Sequence, residues 1–190
     1  MGNSLLAVKG INHKYIVVES YGYLTGTYVR DKDGVNGAYM ICEMFAYYAS
    51  KGISLLDKLQ ELYEIYGYRL NTLHSYEFEG SSGFKKMQEI MAEFRNGLDT
   101  IGPKKVENVL DYEKGLNGLP KSDVLKYLLE DQCSVVVRPS GTEPKLKVYV
   151  SVCAECKEEA SIMEQQITDH LQMFFHNALL YRYSIEQKTF

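Results

Sequence analysis

Cys133-Ser134-Val135-Val136-Val137-Arg138-Pro139-Ser140-Gly141-Thr142-Glu143-Pro144-Lys145-Leu146-Lys147-Val148-Tyr149-Val150-Ser151-Val152 is the stretch on which the fold turns. Its opening residues, Cys133 to Val137, form a short apolar run rich in β-branched side chains. Its closing residues, Lys145 to Val152, alternate between two faces with the period of a strand that is buried on one side. The segment between carries two prolines and a glycine. The whole predicts two strands joined by a loop.

The loop has a chemistry of its own. Arg138 offers a planar fork of donors that fits two oxygens of a phosphate group. Ser140 and Thr142 add hydroxyls, and Gly141 lets backbone N–H groups come close to a ligand. Pro139 and Pro144 restrict the loop at both ends, which lowers the ordering cost of binding. The same residue types also make an ordinary Gly/Pro/Ser turn, and the short core of the motif leaves both readings open.

Taken whole, Arg138-Pro139-Ser140-Gly141-Thr142-Glu143-Pro144 resembles the phosphate-binding loop of the α-D-phosphohexomutases, the phosphoglucomutase and phosphomannomutase family. Upstream, Glu19-Ser20-Tyr21-Gly22-Tyr23-Leu24 and the following Val29-Arg30-Asp31-Lys32-Asp33-Gly34 resemble the family's sugar-binding loop and its sequel. Leu119-Pro120-Lys121-Ser122-Asp123-Val124-Leu125-Lys126-Tyr127 is similar to bacterial members. The similarity runs from about Tyr15 to Phe175.

The resemblance implies a protein of four domains around one cleft. A serine on the first carries a phosphoryl group, and a Mg²⁺ site on the second supports its transfer to and from a hexose phosphate. A loop on the third reads sugar hydroxyls, and a loop on the fourth clamps the phosphate that is not reacting. This chain would then hold the end of the α/β third domain (1–103) followed by a small α+β fourth domain (104–190) of the TATA-binding-protein-like kind. Residue by residue, Arg138, Ser140, Gly141 and Thr142 match the phosphate-binding positions, and Lys147 matches a second phosphate-binding cation. Lys32 matches a catalytic lysine near the reacting oxygen, while Glu19 and Ser20 match sugar-binding positions. Val18 departs from the pattern, standing where the family carries its first acidic sugar reader.

The implied activity is that of an isomerase working by phosphoryl transfer in carbohydrate metabolism, with Mg²⁺ as the cofactor of the whole protein and a hexose phosphate as substrate. The chain contains neither a TASHNP-like serine segment nor a DxDxDR metal triad. It is therefore expected to hold no metal and to be inactive alone, because phosphoryl transfer needs a positioned donor, an acceptor and charge neutralisation at the reacting group. The missing N-terminal domains would be its partner. Two other readings stand beside this one: a non-catalytic phosphosugar-binding module, and a structural remnant that keeps the loop by inheritance.

Composition sets the outer bounds. With 190 residues, 45% hydrophobic and 24% charged, the chain has the make-up of a globular protein. A net charge of −4 argues against a general nucleic-acid or anionic-membrane surface, so any phosphate binding rests on a few placed cations. No apolar run approaches the ~20 residues of a membrane helix, and the first residues lack a signal-peptide core. A cytoplasmic location is the expectation, with Cys42, Cys133, Cys153 and Cys156 as reduced thiols. Cys153-Ala154-Glu155-Cys156 has redox or metal spacing but no second pair to complete a site.

Along the rest of the chain, His13 to Val18 reads as a strand leading into the Glu19 loop. Gly37 to Ser50 reads as a helix with stripes of Met40, Met44, Tyr47 and of Ile41, Phe45, Tyr48, ended by Gly52. Ser54 with Asp57 caps a second helix that runs to Gly67. Both helices are expected to be packed, although a βα start without its neighbouring strands would leave an apolar face uncovered. Tyr68 to Glu79 reads as extended. Gly83 onward reads as a helix burying Phe84, Met87, Met91 and Phe94, and 96–105 reads as the boundary between domains. A strand near Lys105 to Tyr112 and an amphipathic segment at Ser122 to Glu130 come next. After the loop's two strands, a long helix from Lys157 carries Ala160, Met163, Ile167, Leu171, Phe174 and Ala178 on one stripe, with His170 and His176 at its rim.

Overall fold

The computed structural model describes residues 15–18, 22–25, 33–78, 82–116 and 118–187, with backbone alone for 15–18, 22–25 and 177–187. It divides into two compact units, Met1–Leu62 and Tyr63–Phe190.

In the first unit, β1 (Tyr15–Val18) and β2 (Gly22–Thr25) form an antiparallel hairpin. Helix α1 (Gly34–Ala49) follows, with the Asp33 carboxylate accepting the Val35 N–H at 2.8 Å as its N-cap. The helix closes in a Schellman motif: Ile53 N–H donates to the Tyr48 carbonyl and Gly52 N–H to that of Ala49, both at 3.0 Å. That geometry requires a left-handed residue, and Gly52 supplies it at φ +70°. Helix α2 (Leu55–Tyr66), whose last turn already belongs to the second unit, starts with the expected reciprocal cap: Ser54 Oγ accepts the Asp57 N–H, and the Asp57 carboxylate accepts the Ser54 N–H.

The two helices are not packed as their sequence predicts. On α1 only Gly37 and Tyr48 are buried, while Ile41, Phe45 and Tyr47 are exposed. No residue of α2 is buried, and Leu56 and Ile65 lie open. Apolar periodicity specifies which face a helix wants to bury, but among the described residues of this unit a short hairpin and one neighbouring helix offer too little surface to cover it.

The second unit is built on a six-stranded antiparallel sheet of order β3-β8-β7-β6-β5-β4. Its strands are β3 (Tyr68–Glu77), β4 (Thr100–Ile101), β5 (Lys104–Asp111), β6 (Leu125–Leu129), β7 (Ser134–Pro139) and β8 (Lys145–Ala154). Helices α3 (Gly83–Arg95) and α4 (Lys157–Gln187) cover one face. Alternation is strict where the core is deepest. Leu125, Tyr127 and Leu129 on β6, Val135 and Val137 on β7, and Leu146, Val148, Val150 and Val152 on β8 all point inward. From the helices come Met87, Ile90, Met91 and Phe94, then Ala160, Ile167, Leu171 and Phe175.

This mixed α/β architecture with an antiparallel sheet agrees with the expected class, but the material is divided differently along the chain. Residues 96–105, which glycine and proline content marks as a boundary, instead close α3 at Gly97 (φ +90°) and form the β4–β5 turn. The two units part after Leu62, and β3 and α3 share the sheet and core of everything that follows. Gly102, at the β4–β5 turn, adopts φ +59°, and its N–H donates to His170 Nδ1 at 2.6 Å. His170 is therefore a structural acceptor, and His176 is exposed. Phe84, expected in the core, is 43% exposed, because the first turn of α3 presses Gly83 inward in its place.

A polar knot ties the edge strand β3 to α4. Glu164 Oε1 accepts from Thr72 Oγ1 at 2.6 Å, His74 Nε2 at 2.7 Å and Thr168 Oγ1 at 3.1 Å. Burial pushes this carboxyl up, but the three hydrogen bonds and the His74 charge outweigh it and hold it below the ordinary value of 4.5. A depressed folded-state value means stability that is present above the unfolded value and lost as pH falls through the folded one. Glu164→Gln is thus expected to cost about 1 kcal/mol at neutral pH. The difference from the parent protein should shrink toward zero as the parent carboxyl protonates in acid. Urea titrations at a series of pH values check this; a gap that widens in acid would contradict it.

Candidate phosphate-binding site

The loop 140–144 sits at one end of the β7–β8 hairpin, and its geometry follows from how the hairpin is bonded. Ser140 N–H donates to the Lys145 carbonyl at 2.7 Å, which makes that pair a hydrogen-bonded one. Pro139 faces Leu146 at the next, non-bonded position, so its missing N–H costs the ladder nothing. On its other side β6 begins only at Leu125, opposite Val137, so Pro139 leaves no neighbouring strand unsatisfied. Arg138 and Lys147 form the next bonded pair, with backbones about 5.5 Å apart. Their side chains project from the same face, because Val137, Leu146 and Val148 occupy the other.

The far end of the loop is anchored. Phe78 N–H donates to the Pro144 carbonyl at 2.9 Å, which prolongs the β3–β8 ladder by one bond. Helix α3 begins directly against this junction. A Cβ on Gly83 would lie 2.6 Å from the Phe78 carbonyl oxygen and 3.0 Å from Pro144 Cβ, so only glycine permits the approach. Within the loop Lys145 N–H donates to the Glu143 carbonyl at 2.7 Å, and Thr142 N–H reaches Ser140 Oγ at 3.5 Å.

Two features of this loop suit it to an anion. The first is Gly141, which does not have positive φ and around which a Cβ would meet nothing within 4 Å. Neither the backbone nor the packing needs glycine there, and the space above it is open. The second is charge. Like charges directly opposite on adjacent strands destabilise a sheet, yet Arg138 faces Lys147, and neither has a carboxylate within 4.0 Å among the described residues. Two other cations of this unit are matched: Lys145 pairs with Glu77 at 2.6 Å, and Arg95 holds Asp111 at 3.2 Å and Asp123 at 2.5 Å.

The structure thus brings Arg138, Ser140 and Lys147 onto one side of the hairpin, with Gly141 and Thr142 exposed at the tip. Ser75 of β3, opposite Lys147, joins the same face. No local signal could have marked Ser75, because its position comes from pairing between strands far apart in sequence. Glu19, Ser20 and Lys32 lie outside the described residues. Among the described residues no group of three or more His, Cys, Asp or Glu side chains could hold a metal ion, so the Mg²⁺ implied by the family resemblance finds no ligand set there. Cys133 is buried and Cys156 exposed, and all four cysteines are free thiols.

Residues 79–168 match the family model of the phosphoglucomutase/phosphomannomutase C-terminal domain. This segment belongs to that family. The phosphohexomutase domain so defined contains the whole β7–β8 hairpin, its loop and all of α3. Phosphoglucomutases of Staphylococcus aureus are similar over more of the chain. That of strain MRSA252 is 38% identical over 146 residues, covering 70% of this chain and 26% of its own length. That of strain USA300 is 37% identical over 147 residues with the same coverage. The chain spans about a quarter of the length of these curated relatives. Among solved structures, the open form of Paramecium parafusin (pp63), a phosphoglucomutase, aligns over 87% of this chain and 30% of its own, with a TM-score of 0.57 at 18% identity, a likeness of fold.

Proposed function

We propose that this chain supplies the phosphate clamp of a phosphohexomutase, an isomerase that exchanges hexose 1- and 6-phosphates by phosphoryl transfer, and that it holds the phosphate that does not react. The observation carrying this reading is the unbalanced Arg138–Lys147 pair at the foot of a loop whose hydroxyls and open glycine suit a phosphate dianion. Arg138 would take two phosphate oxygens, Ser140 and Thr142 would donate to the others, and Lys147 would neutralise the second charge. Glu19 and Ser20 would reach sugar hydroxyls, and Lys32 would stand near the reacting oxygen. The reaction itself needs the phosphoserine and Mg²⁺ carried by other domains, which are this chain's natural partners, and the setting is cytoplasmic carbohydrate metabolism.

Val18, where a first acidic sugar reader is expected, favours a second reading in which the chain binds a phosphosugar without discriminating its hydroxyls. One set of titrations addresses both. Calorimetry of the full chain with glucose 1-phosphate is expected to give saturable binding in the millimolar range or tighter, displaced by inorganic phosphate, with no binding of glucose. With glucose 1-phosphate, the bisphosphate activator and Mg²⁺, turnover is expected to stay at the level of heat-killed protein. Absence of phosphate-ester binding at millimolar ligand would overturn the clamp. Turnover well above the control would overturn the requirement for other domains.

A further inference from the structure

Strand β6 sends Leu125, Tyr127 and Leu129 into the core, each 1% exposed or less, so Lys126 and Leu128 lie on the opposite face of the sheet. Lys126 stands opposite Val136 of β7, and Val136 stands opposite Tyr149 of β8. The next outward row toward the loop is Arg138 opposite Lys147. Lys126 is therefore the diagonal neighbour of Arg138, at about 7–8 Å, a span within reach of a long side chain.

Its placement is enforced from the core side. Arg95, at the end of α3, holds Asp123 at 2.5 Å, and Tyr112 N–H donates to the Val124 carbonyl at 3.0 Å. The segment entering β6 is pinned just ahead of Lys126, which holds the start of the strand to α3 and to the end of β5. Lys126 is half-buried beside apolar Val136 and, like Arg138 and Lys147, has no carboxylate within 4.0 Å among the described residues. Three unmatched cations on adjacent strands of one sheet face repel each other unless an anion sits among them.

We infer that Lys126 is a third cation of the phosphate site, contacting the bound phosphate monoester from the β6 side while Arg138 and the loop hold it from the front. The inference rests on the clamp reading above. It assigns a task to the Asp123-Val124-Leu125-Lys126 stretch, in which Asp123 fixes the strand and Lys126 uses that fixed position to meet the ligand.

The test is calorimetric titration of the full chain with glucose 1-phosphate in the parent protein and in Lys126→Ala, Lys126→Arg and Lys157→Ala. Lys157 is an exposed charge at the start of α4, beyond the end of β8 remote from the loop, and controls for the loss of one positive charge. Thermal unfolding of each variant confirms folding. Lys126→Ala is expected to weaken binding about three- to tenfold, with Lys126→Arg close to the parent and Lys157→Ala within about twofold. Equal affinities for Lys126→Ala and Lys157→Ala would overturn the role of Lys126 and leave the clamp standing. Failure of the parent itself to bind would overturn the clamp and the inference together.

Discussion

Arg138→Ala is expected to lower affinity for a phosphate monoester about ten- to a hundredfold while leaving the unliganded protein as stable as before, or slightly more so. The affinity figure follows from removing charge-assisted hydrogen bonds of about 1.5–3 kcal/mol. The stability expectation follows from the register. Arg138 is exposed, makes no ion pair among the described residues, and sits directly across from Lys147, so its removal relieves a like-charge contact. A structural arginine would behave in the opposite way, with stability falling and binding following only as a consequence. Arg138→Lys should recover part of the binding at most, because an ammonium lacks the planar fork that meets two oxygens at once. Lys147→Ala should have the same sign with a smaller size. Calorimetric titration and thermal melts of the same samples read both quantities. A melting temperature lowered by several degrees with affinity unchanged would refute the assignment.

Phe94→Ala should be the most damaging single change in the core, costing about 3–5 kcal/mol. Phe94 is 0% exposed, and its ring lies 4.8 Å from Phe174, 5.6 Å from Phe175 and 5.9 Å from Tyr127, measured between centroids. It is where α3, α4 and β6 meet. Truncation leaves a cavity walled by three aromatic rings that cannot collapse without moving both helices. The Phe94 backbone carbonyl also accepts the Tyr127 hydroxyl, a bond that the substitution spares, so the loss reports packing. Burial pushes the Tyr127 phenol up to about 12, and it stays a neutral donor across the working range. A fall of about 10–20 °C in melting temperature is the expected reading. A fall of only a few degrees would mean that α3 is not docked as described.

How much of this was legible in the sequence depends on how local each feature is. The β7–β8 hairpin, the Ser54–Asp57 cap, the Gly52 stop and the α4 stripe from Ala160 to Phe174 were readable, because turn chemistry, capping and periodicity act over a few residues; the side chain of Ala178, the last of that stripe, lies outside the described residues. The division of the chain was not. Gly97, Gly102 and Pro103 mark breaks in local structure, and a hairpin turn uses the same residues as a linker. What joins β3 to the later strands is ten residues of pairing with β8, a contact across most of the second unit that carries no local signature. Phe84 departs from its expected burial for a related reason: the periodicity of α3 admits it to the buried face, and the close approach of Gly83 to Phe78 and Pro144 turns it out.

The loop residues themselves came from sequence alone. Residue types from Arg138 to Pro144 declare what chemistry they can do, because a guanidinium, two hydroxyls and an open glycine have those properties wherever they lie. Sequence left undecided whether the stretch was a cradle or only a turn. Tertiary structure weighs on that question by setting Arg138 against Lys147, by showing that nothing in the fold requires glycine at 141, and by bringing Ser75 and Lys126 to the same face from distant strands. The physical reason is that side-chain chemistry is a property of single residues, whereas an unbalanced field is a property of register, and register exists only once strands have paired.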